Sequence, residues 1–192
     1  MVKFYFVRHG ETDWNVQGRF QGIEDIPLND TGKEQARRCG MGLKKSGIPF
    51  DYVISSPLQR AFDTAETIAD YLELETVQRE PLLIERDFGK VSGKKREDRD
   101  RMLQSGEALD MEEEEAVAER MQQVLTALTE KTYEHILLVS HGASIRALLS
   151  RYAEPGSAPA TAVQRNVCLS VVVFDGKNWY LEAYDQTPEE LR

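Results

Sequence analysis

The sequence predicts an α/β fold, a three-layer α/β/α sandwich whose mostly parallel sheet carries an antiparallel hairpin at one edge. Three observations predict it. Short apolar runs at 3–7, 51–55 and 135–140 read as buried strands, each followed by a polar break. Helical periodicities separate them, as parallel strands require. Near the C-terminus, strand-like runs at Val167–Phe174 and Trp179–Tyr184 flank Asp175-Gly176-Lys177-Asn178, a hairpin signal.

Lys3–Val7 is the first strand and stops at Arg8-His9-Gly10. Residues 11–30 show no sustained period and carry Gly18, Gly22 and Pro27, so they read as a long, functional loop. Thr31 and Glu34 have capping-box spacing and open a helix to about Lys45, ended by Ser46-Gly47. After the Asp51–Ser55 strand, Pro57 suits the first turn of a helix that buries Ala61, Thr64, Ala65, Ile68 and Leu72. A short strand is expected at Glu75–Gln78. Residues 80–93, broken by Pro81, Gly89 and Gly93, read as a second functional loop. Two charged helices follow, from Lys94 to about Gln104 and from about Met111, the second with Val117, Met121, Val124, Leu125 and Leu128 on one face. Together, about 94–131 reads as a cap-like insertion within a single domain, 1–192. The acidic run Glu112–Glu115 fits a solvated first turn, where the helix dipole favours negative charge. His135–Ser140 is the clearest buried strand, and a helix from Ala143 to about Tyr152 follows His141-Gly142. The tail beyond Gln186 is expected to be solvated.

With 192 residues, 41% of them hydrophobic, the chain can bury one substantial core. No apolar run reaches the roughly 20 residues that span a bilayer. Met1–Val7 is too short, and too soon interrupted by Arg8, for a signal peptide. Cys39 and Cys168 lack metal or redox spacing, which predicts a cytoplasmic chain with reduced thiols, and without a spanning run no membrane partner is expected. A formal net charge of −9 argues against nucleic-acid binding, which needs a basic surface. It does not exclude a small anion pocket, because distant surface charge is screened beyond about 8–10 Å at physiological salt.

Chemistry gathers at two of the three histidines. His9 and His141 each follow an apolar strand and precede a glycine. Ligands of parallel sheets bind beyond the carboxyl ends of the strands, so these histidines are expected to face one another across one crevice. The glycine after each would let backbone approach a ligand closely. His135 reads as an ordinary strand-edge residue. Arg8 beside His9 suits a bound anion better than a core, because its planar fork stays charged and grips oxyanions bidentately. Arg60 lies just past Ser55-Ser56-Pro57 and is expected near the same strand ends.

Competing motifs fail on spacing. Gly89-Lys90-Val91-Ser92-Gly93-Lys94-Lys95 has three residues between its glycines where a P-loop has four, and no Ser or Thr after the lysine. No histidine pair has zinc spacing, no aspartate cluster has calcium spacing, and no Gly-x-Ser-x-Gly elbow is present. Neither a metal nor a cofactor is implied.

Phe6-Val7-Arg8-His9-Gly10-Glu11-Thr12, with Asn15 after it, resembles the signature of the histidine phosphatase superfamily, which includes the phosphoglycerate mutases. The resemblance continues through Gly18-Arg19-Phe20-Gln21-Gly22, Pro27-Leu28 with Thr31-Gly32, and Ser55-Ser56-Pro57-Leu58-Gln59-Arg60-Ala61 with Thr64-Ala65-Glu66. It resumes at Leu83-Ile84-Glu85 with Phe88-Gly89 and at Val139-Ser140-His141-Gly142. These blocks run in order to about Leu148.

The resemblance implies a phosphoglycerate mutase-like fold and a small phosphorylated metabolite as partner. It implies that His9 attacks phosphorus and becomes phosphohistidine. Arg8, Arg60 and His141 would hold the equatorial oxygens. Asn15, Gln21 and the backbone near Gly22 and Gly142 would complete the anion cage, and Glu85 would protonate the leaving oxygen. Two departures bear on the substrate. Val91-Ser92-Gly93 stands where many small phosphatases of this family have Trp-Glu-Gly, and only Gly106-Glu107 echoes the usual Gly-Glu-Ser segment. A mutase keeps water from phosphohistidine with a longer covering insertion, whereas Glu85 and His141 are separated here by 55 residues, 86–140. Gln21 and Ala143 also resemble the phosphatase side. Phosphomonoester hydrolysis is therefore the expected activity. A cofactor-dependent phosphoglycerate mutase and a silent phosphate-binding module are the alternatives.

Overall fold

The computed structural model describes residues 1–191. Six strands form one sheet: β1 (Val2–Arg8), β2 (Tyr52–Ser55), β3 (Gln78–Arg79), β4 (His135–Ser140), β5 (Leu169–Phe174) and β6 (Trp179–Gln186). Their spatial order is β3-β2-β4-β1-β5-β6. The first four of these positions are parallel, and β5 runs antiparallel to both β1 and β6. The predicted fold class is the observed one. Helices are α1 (Asp13–Val16), α2 (Asp30–Ser46), α3 (Gln59–Leu72), α4 (Arg96–Gln104), α5 (Glu114–Thr129), α6 (Gly142–Leu149) and α7 (Ala158–Thr161).

Strand alternation builds the two cores. Phe4 and Phe6 of β1, with Ile136 and Leu138 of β4, face α5 and α6, where Val117, Met121, Leu125, Ile145 and Leu148 meet them. Tyr5 and Val7, with Leu137 and Val139, face α2 and α3 and meet Leu43, Ala61, Ala65 and Ile68. Because both faces are covered, β1 and β4 are apolar through their middles, Phe4–Val7 and Ile136–Val139, and period-2 alternation divides these residues between the cores. Each fully buried Leu, Ile or Phe contributes about 1.5–3 kcal/mol, so these layers hold the strand ends rigidly.

Several local expectations are corrected. The α2 cap is Asn29, whose side chain accepts from the Gly32 amide; Glu34 instead pairs with Arg37 and Arg38, so the Thr31–Glu34 box does not form. Pro57 precedes α3, which begins at Gln59 after the uncapped Leu58. The loop 11–30 contains α1, closed by a capping box between Thr12 and Asn15. The strand expected at Glu75–Gln78 forms one turn later, at Gln78–Arg79, and β5 begins at Leu169. The tail is not simply solvated, since Pro188 is buried and Leu191 joins the α2–α3 core. The acidic run is solvated at Glu113–Glu115, as expected, and is also ion-paired: Glu112 with Arg120, and Glu114 with Arg86 and Arg146.

The segment 94–131 contains two unlike parts. α4 has no buried residue, whereas α5 buries Val117, Ala118, Met121, Val124, Leu125 and Leu128 against the sheet layer. Among the described residues no helix is long and apolar enough to cross a membrane.

Candidate active site

Strand register creates the site. β1 pairs with β4 so that Arg8 lies opposite Ser140, and the His9 amide donates to the Ser140 carbonyl at 3.0 Å. β2 flanks β4 on the other side, with the Ser56 amide donating to the Val139 carbonyl at 2.9 Å. His9, His141 and Ser56 therefore leave three adjacent parallel strands at one level, beyond their carboxyl ends. The two histidine rings lie 5.2 Å apart between centroids.

Each ring is held by a different partner. His9 Nδ1 lies 2.7 Å from the Gly10 carbonyl. A carbonyl only accepts, so Nδ1 carries the proton and Nε2 of the neutral ring keeps its lone pair. His141 is held through Nε2, 2.7 Å from the Ser56 hydroxyl. Burial, reinforced by Arg60 and Arg8, holds His9 well below the usual histidine range; burial, Arg60 and His9 do the same for His141.

The arginines converge from separate segments. Arg60 is 0% exposed, with Nη1 donating to the Glu24 carbonyl at 2.6 Å and Nη2 to the Gly22 carbonyl at 2.7 Å. Arg8 Nη1 donates to the Gln164 carbonyl at 2.9 Å. Burial lowers both, Arg60 to about 10, which leaves it charged at neutral pH. Among the described residues, the buried side-chain polar atoms without a hydrogen-bond partner are Arg8 Nε, Arg60 Nε and His141 Nδ1. All three belong to this cluster. Buried polar nitrogens left unpaired cost about 1–3 kcal/mol each, and a set on the Arg60 and Arg8 guanidiniums and His141 is the arrangement that an oxyanion satisfies.

Glu85, only 7% exposed, comes from the loop that follows a 3-10 turn at Pro81–Leu83. Its carboxyl accepts from the first turn of α6: Oε1 from the Ser144 amide at 3.0 Å, Oε2 from the Ala143 amide at 3.3 Å. It thereby does the capping that His141, the N-cap residue, does not do with its side chain. The same helix start thus holds His141 and Glu85 together.

Other predicted residues take parts that differ from expectation. Asn15 Oδ1 accepts from the Thr12 amide, so what it can offer a ligand is its Nδ2 donor. Gln21 accepts from the Thr12 hydroxyl at 2.9 Å and is buried. Gly22 contributes its carbonyl to Arg60, so this part of it positions the arginine. The glycines after the histidines serve packing. A Cβ on Gly10 would meet the Gly32 carbonyl at 2.5 Å, and one on Gly142 would strike Val163 and crowd Arg8 Nε. The P-loop-like stretch is a 3-10 turn at Gly89–Val91 leading into α4, with Lys90 tied to Ala108 and Asp110. Among the described residues no group of three or more His, Cys, Asp or Glu could hold a metal.

Sequence reasoning missed four supports. Ser56 holds His141, and Ser144 reaches Glu85. Gln164 holds Arg8, and Asn166 Nδ2 donates to the His9 carbonyl at 2.7 Å. The Ser56 position was visible in the Ser-Ser-Pro-Leu-Gln-Arg block. No local signal marks Gln164 or Asn166, which come from a loop more than 150 residues after β1.

The model of the histidine phosphatase superfamily (branch 1) matches residues 4–187. The chain belongs to this superfamily. It is 37% identical over 188 residues to the uncharacterized phosphatase PhoE of Bacillus subtilis, covering 96% of this chain and 95% of that one. It is 33% identical over 197 residues to the probable phosphoglycerate mutase GpmB of Proteus mirabilis, covering 93% and 88%. Among solved structures, phosphoserine phosphatase of Entamoeba histolytica in complex with 3-phosphoglyceric acid superposes with a TM-score of 0.81. It is 29% identical over the whole of both chains. This histidine phosphatase thus has relatives named for both phosphatase and mutase activities, and the carboxyl-end cluster of the sheet is its candidate centre.

Proposed function

We propose that this chain is a phosphomonoester hydrolase that works through phosphohistidine on His9, with a small phosphorylated metabolite as substrate. The observation that carries the reading is the trio of buried, unpartnered nitrogens on Arg8, Arg60 and His141 around a histidine whose Nε2 is left unprotonated.

In the proposed first step, the His9 Nε2 lone pair forms a bond to phosphorus as the bond to the leaving oxygen breaks. Arg8, Arg60 and His141 hold the equatorial oxygens, where stabilising developing charge dominates phosphoryl transfer. The Asn15 amide and the backbone near Gly22 and Gly142 complete the cage. Glu85 gives its proton to the leaving oxygen, which departs as an alcohol. In the second step a water oxygen attacks phosphorus and its proton passes to the Glu85 carboxylate. The N–P bond then breaks and phosphate leaves. The low proton affinity of buried His9 keeps Nε2 free for attack at mildly acidic pH.

Water access favours hydrolysis over mutase action. α5 belongs to the helical layer, so within 86–140 chiefly the stretch ahead of α5 is left to lie over the site. That stretch is stitched to the first loop, where the Phe20 amide donates to the Lys94 carbonyl at 2.9 Å and the Gly93 amide to the Phe20 carbonyl at 2.7 Å. We propose this short stretch as the cap, too small to exclude water for long. The buried, unpaired Cys39 and Cys168 support a cytoplasmic location.

The test is phosphate release from p-nitrophenyl phosphate at mildly acidic pH in EDTA, then from a panel including 3-phosphoglycerate and phosphoserine. Turnover without metal and without 2,3-bisphosphoglycerate is expected. Interconversion of 3- and 2-phosphoglycerate that outpaces phosphate release would make the chain a mutase. Tight vanadate binding without turnover would make it a phosphate-binding module.

A further inference from the structure

The donors around Glu85 are shared unequally between its two oxygens. Oε1 accepts from the Arg86 amide at 2.9 Å and the Ser144 amide at 3.0 Å, while Oε2, among the described residues, meets only the Ala143 amide at 3.3 Å. Backbone amides donate and never accept, so an oxygen that already takes two of them is the poorer place for the acid proton. The acid proton is thereby left to Oε2. A fourth group differs in kind. The Ser144 hydroxyl is fully buried, 3.0 Å from Oε1 and 2.9 Å from the Ile84 carbonyl, and it has a single proton for two acceptors.

We propose that Ser144 is a positioning residue for the proton of Glu85, its hydroxyl turning from the Ile84 carbonyl to Oε1 as the Oε2 proton leaves. This rests on the acid role proposed above. While Glu85 is neutral, the hydroxyl satisfies Ile84. As the Oε2 proton moves to the leaving oxygen and the P–O bond breaks, the new carboxylate draws a charge-assisted bond from Ser144. Releasing Ile84 is cheap, because Arg120 Nη1 also donates to that carbonyl at 2.7 Å. The interaction strengthens only as charge develops, which is the condition for raising kcat. When water attacks in the second step, its proton returns to Oε2 and the hydroxyl turns back.

The test is a leaving-group comparison on Ser144→Ala and on Ser144→Cys, which keeps the side-chain size with a weak donor. With an alkyl phosphate, whose leaving oxygen needs a proton, kcat falls about tenfold in both; with p-nitrophenyl phosphate it falls about two- to threefold. KM moves little. In a Glu85→Gln background, Ser144→Ala adds no further selective loss, because its route runs through Glu85. Equal losses for both substrates, or a full additional loss in the double variant, would overturn the positioning role. A Glu85→Gln variant with equal losses for all leaving groups would instead overturn the acid reading itself, so the two failures are distinguishable.

Discussion

The carboxyl ends of β1 and β4 look alike in sequence and are held in opposite ways. Each strand runs into a histidine followed by glycine, and each ring is buried to 2% exposure or less. At the end of β1, the Gly10 carbonyl accepts from Nδ1–H and leaves the Nε2 lone pair bare. At the end of β4, Ser56 engages Nε2 and leaves Nδ1 without a partner. Ser56 Oγ accepts from the Leu58 amide at 3.3 Å, and among the described residues its own proton has no acceptor other than His141 Nε2, which puts the ring proton on Nδ1. Two rings of one type thus present a lone pair and an N–H to the same space. Role follows from the second hydrogen bond, not from the residue.

The largest expected effect breaks this comparison outright. His9→Ala should remove turnover, a loss of about 10⁴-fold or more, while circular dichroism and vanadate binding persist. His141→Ala should lose less, about 10²- to 10³-fold, because it withdraws a charge-stabilising donor and leaves the nucleophile in place. Rapid-quench labelling with a radiolabelled phosphomonoester sharpens the contrast: His141→Ala still forms an acid-labile phosphoenzyme and His9→Ala forms none. A phosphoenzyme in His9→Ala would assign the nucleophile elsewhere.

Next in size is Ser56→Ala. Without the hydroxyl, His141 is no longer directed to carry its proton on Nδ1, and about tenfold in kcat/KM should be lost. Phosphate affinity should weaken alongside, measured by inhibition against p-nitrophenyl phosphate, because the missing donor serves the ground-state anion as well. Undiminished phosphate inhibition would mean that His141 does not depend on Ser56 for its tautomer.

The same contrast explains what could be read without coordinates. Residues at or just beyond strand ends, Arg8, His9 and His141, were legible because strand termini and chemistry coincide there, and Arg60 because it follows a strand by one short turn. Their junction was not legible from any one segment; it follows from the pairing of β1 with β4 and of β4 with β2, a non-local register. Ser144, Gln164 and Asn166 carry no local signal, since their value lies in which distant carbonyl or carboxylate they meet. Cap positions were misread for a simpler reason. Asn29 and Thr31 both suit an N-cap, and the choice went to Asn29, two residues earlier, where the Gly10–Gly32 backbone crossing sets the entry of α2. Burial of Leu191 depends on the core between the sheet and α2–α3, which exists only once these elements assemble.

The smallest effect concerns stability. His9 and His141 are held neutral in the fold well below their unfolded pKa of about 6.5, chiefly by burial and then by Arg60. Above that pH both states are unprotonated and neither histidine changes the balance. As pH falls below about 6.5, the unfolded chain takes up protons that the fold refuses, and stability is lost. The slope reaches at most about 1.4 kcal/mol per pH unit for each histidine. Urea midpoints between pH 7 and 5 should therefore fall in the wild-type chain, and His141→Asn should show roughly half that slope over the same interval. Measuring above pH 5 keeps the carboxylates of Glu112 and Glu114, which their arginine partners hold below the usual range, out of the comparison. A slope unchanged by His141→Asn would show that the native ring takes up its proton as readily as the unfolded chain does, so that burial does not hold this strand-end ring neutral below pH 6.5.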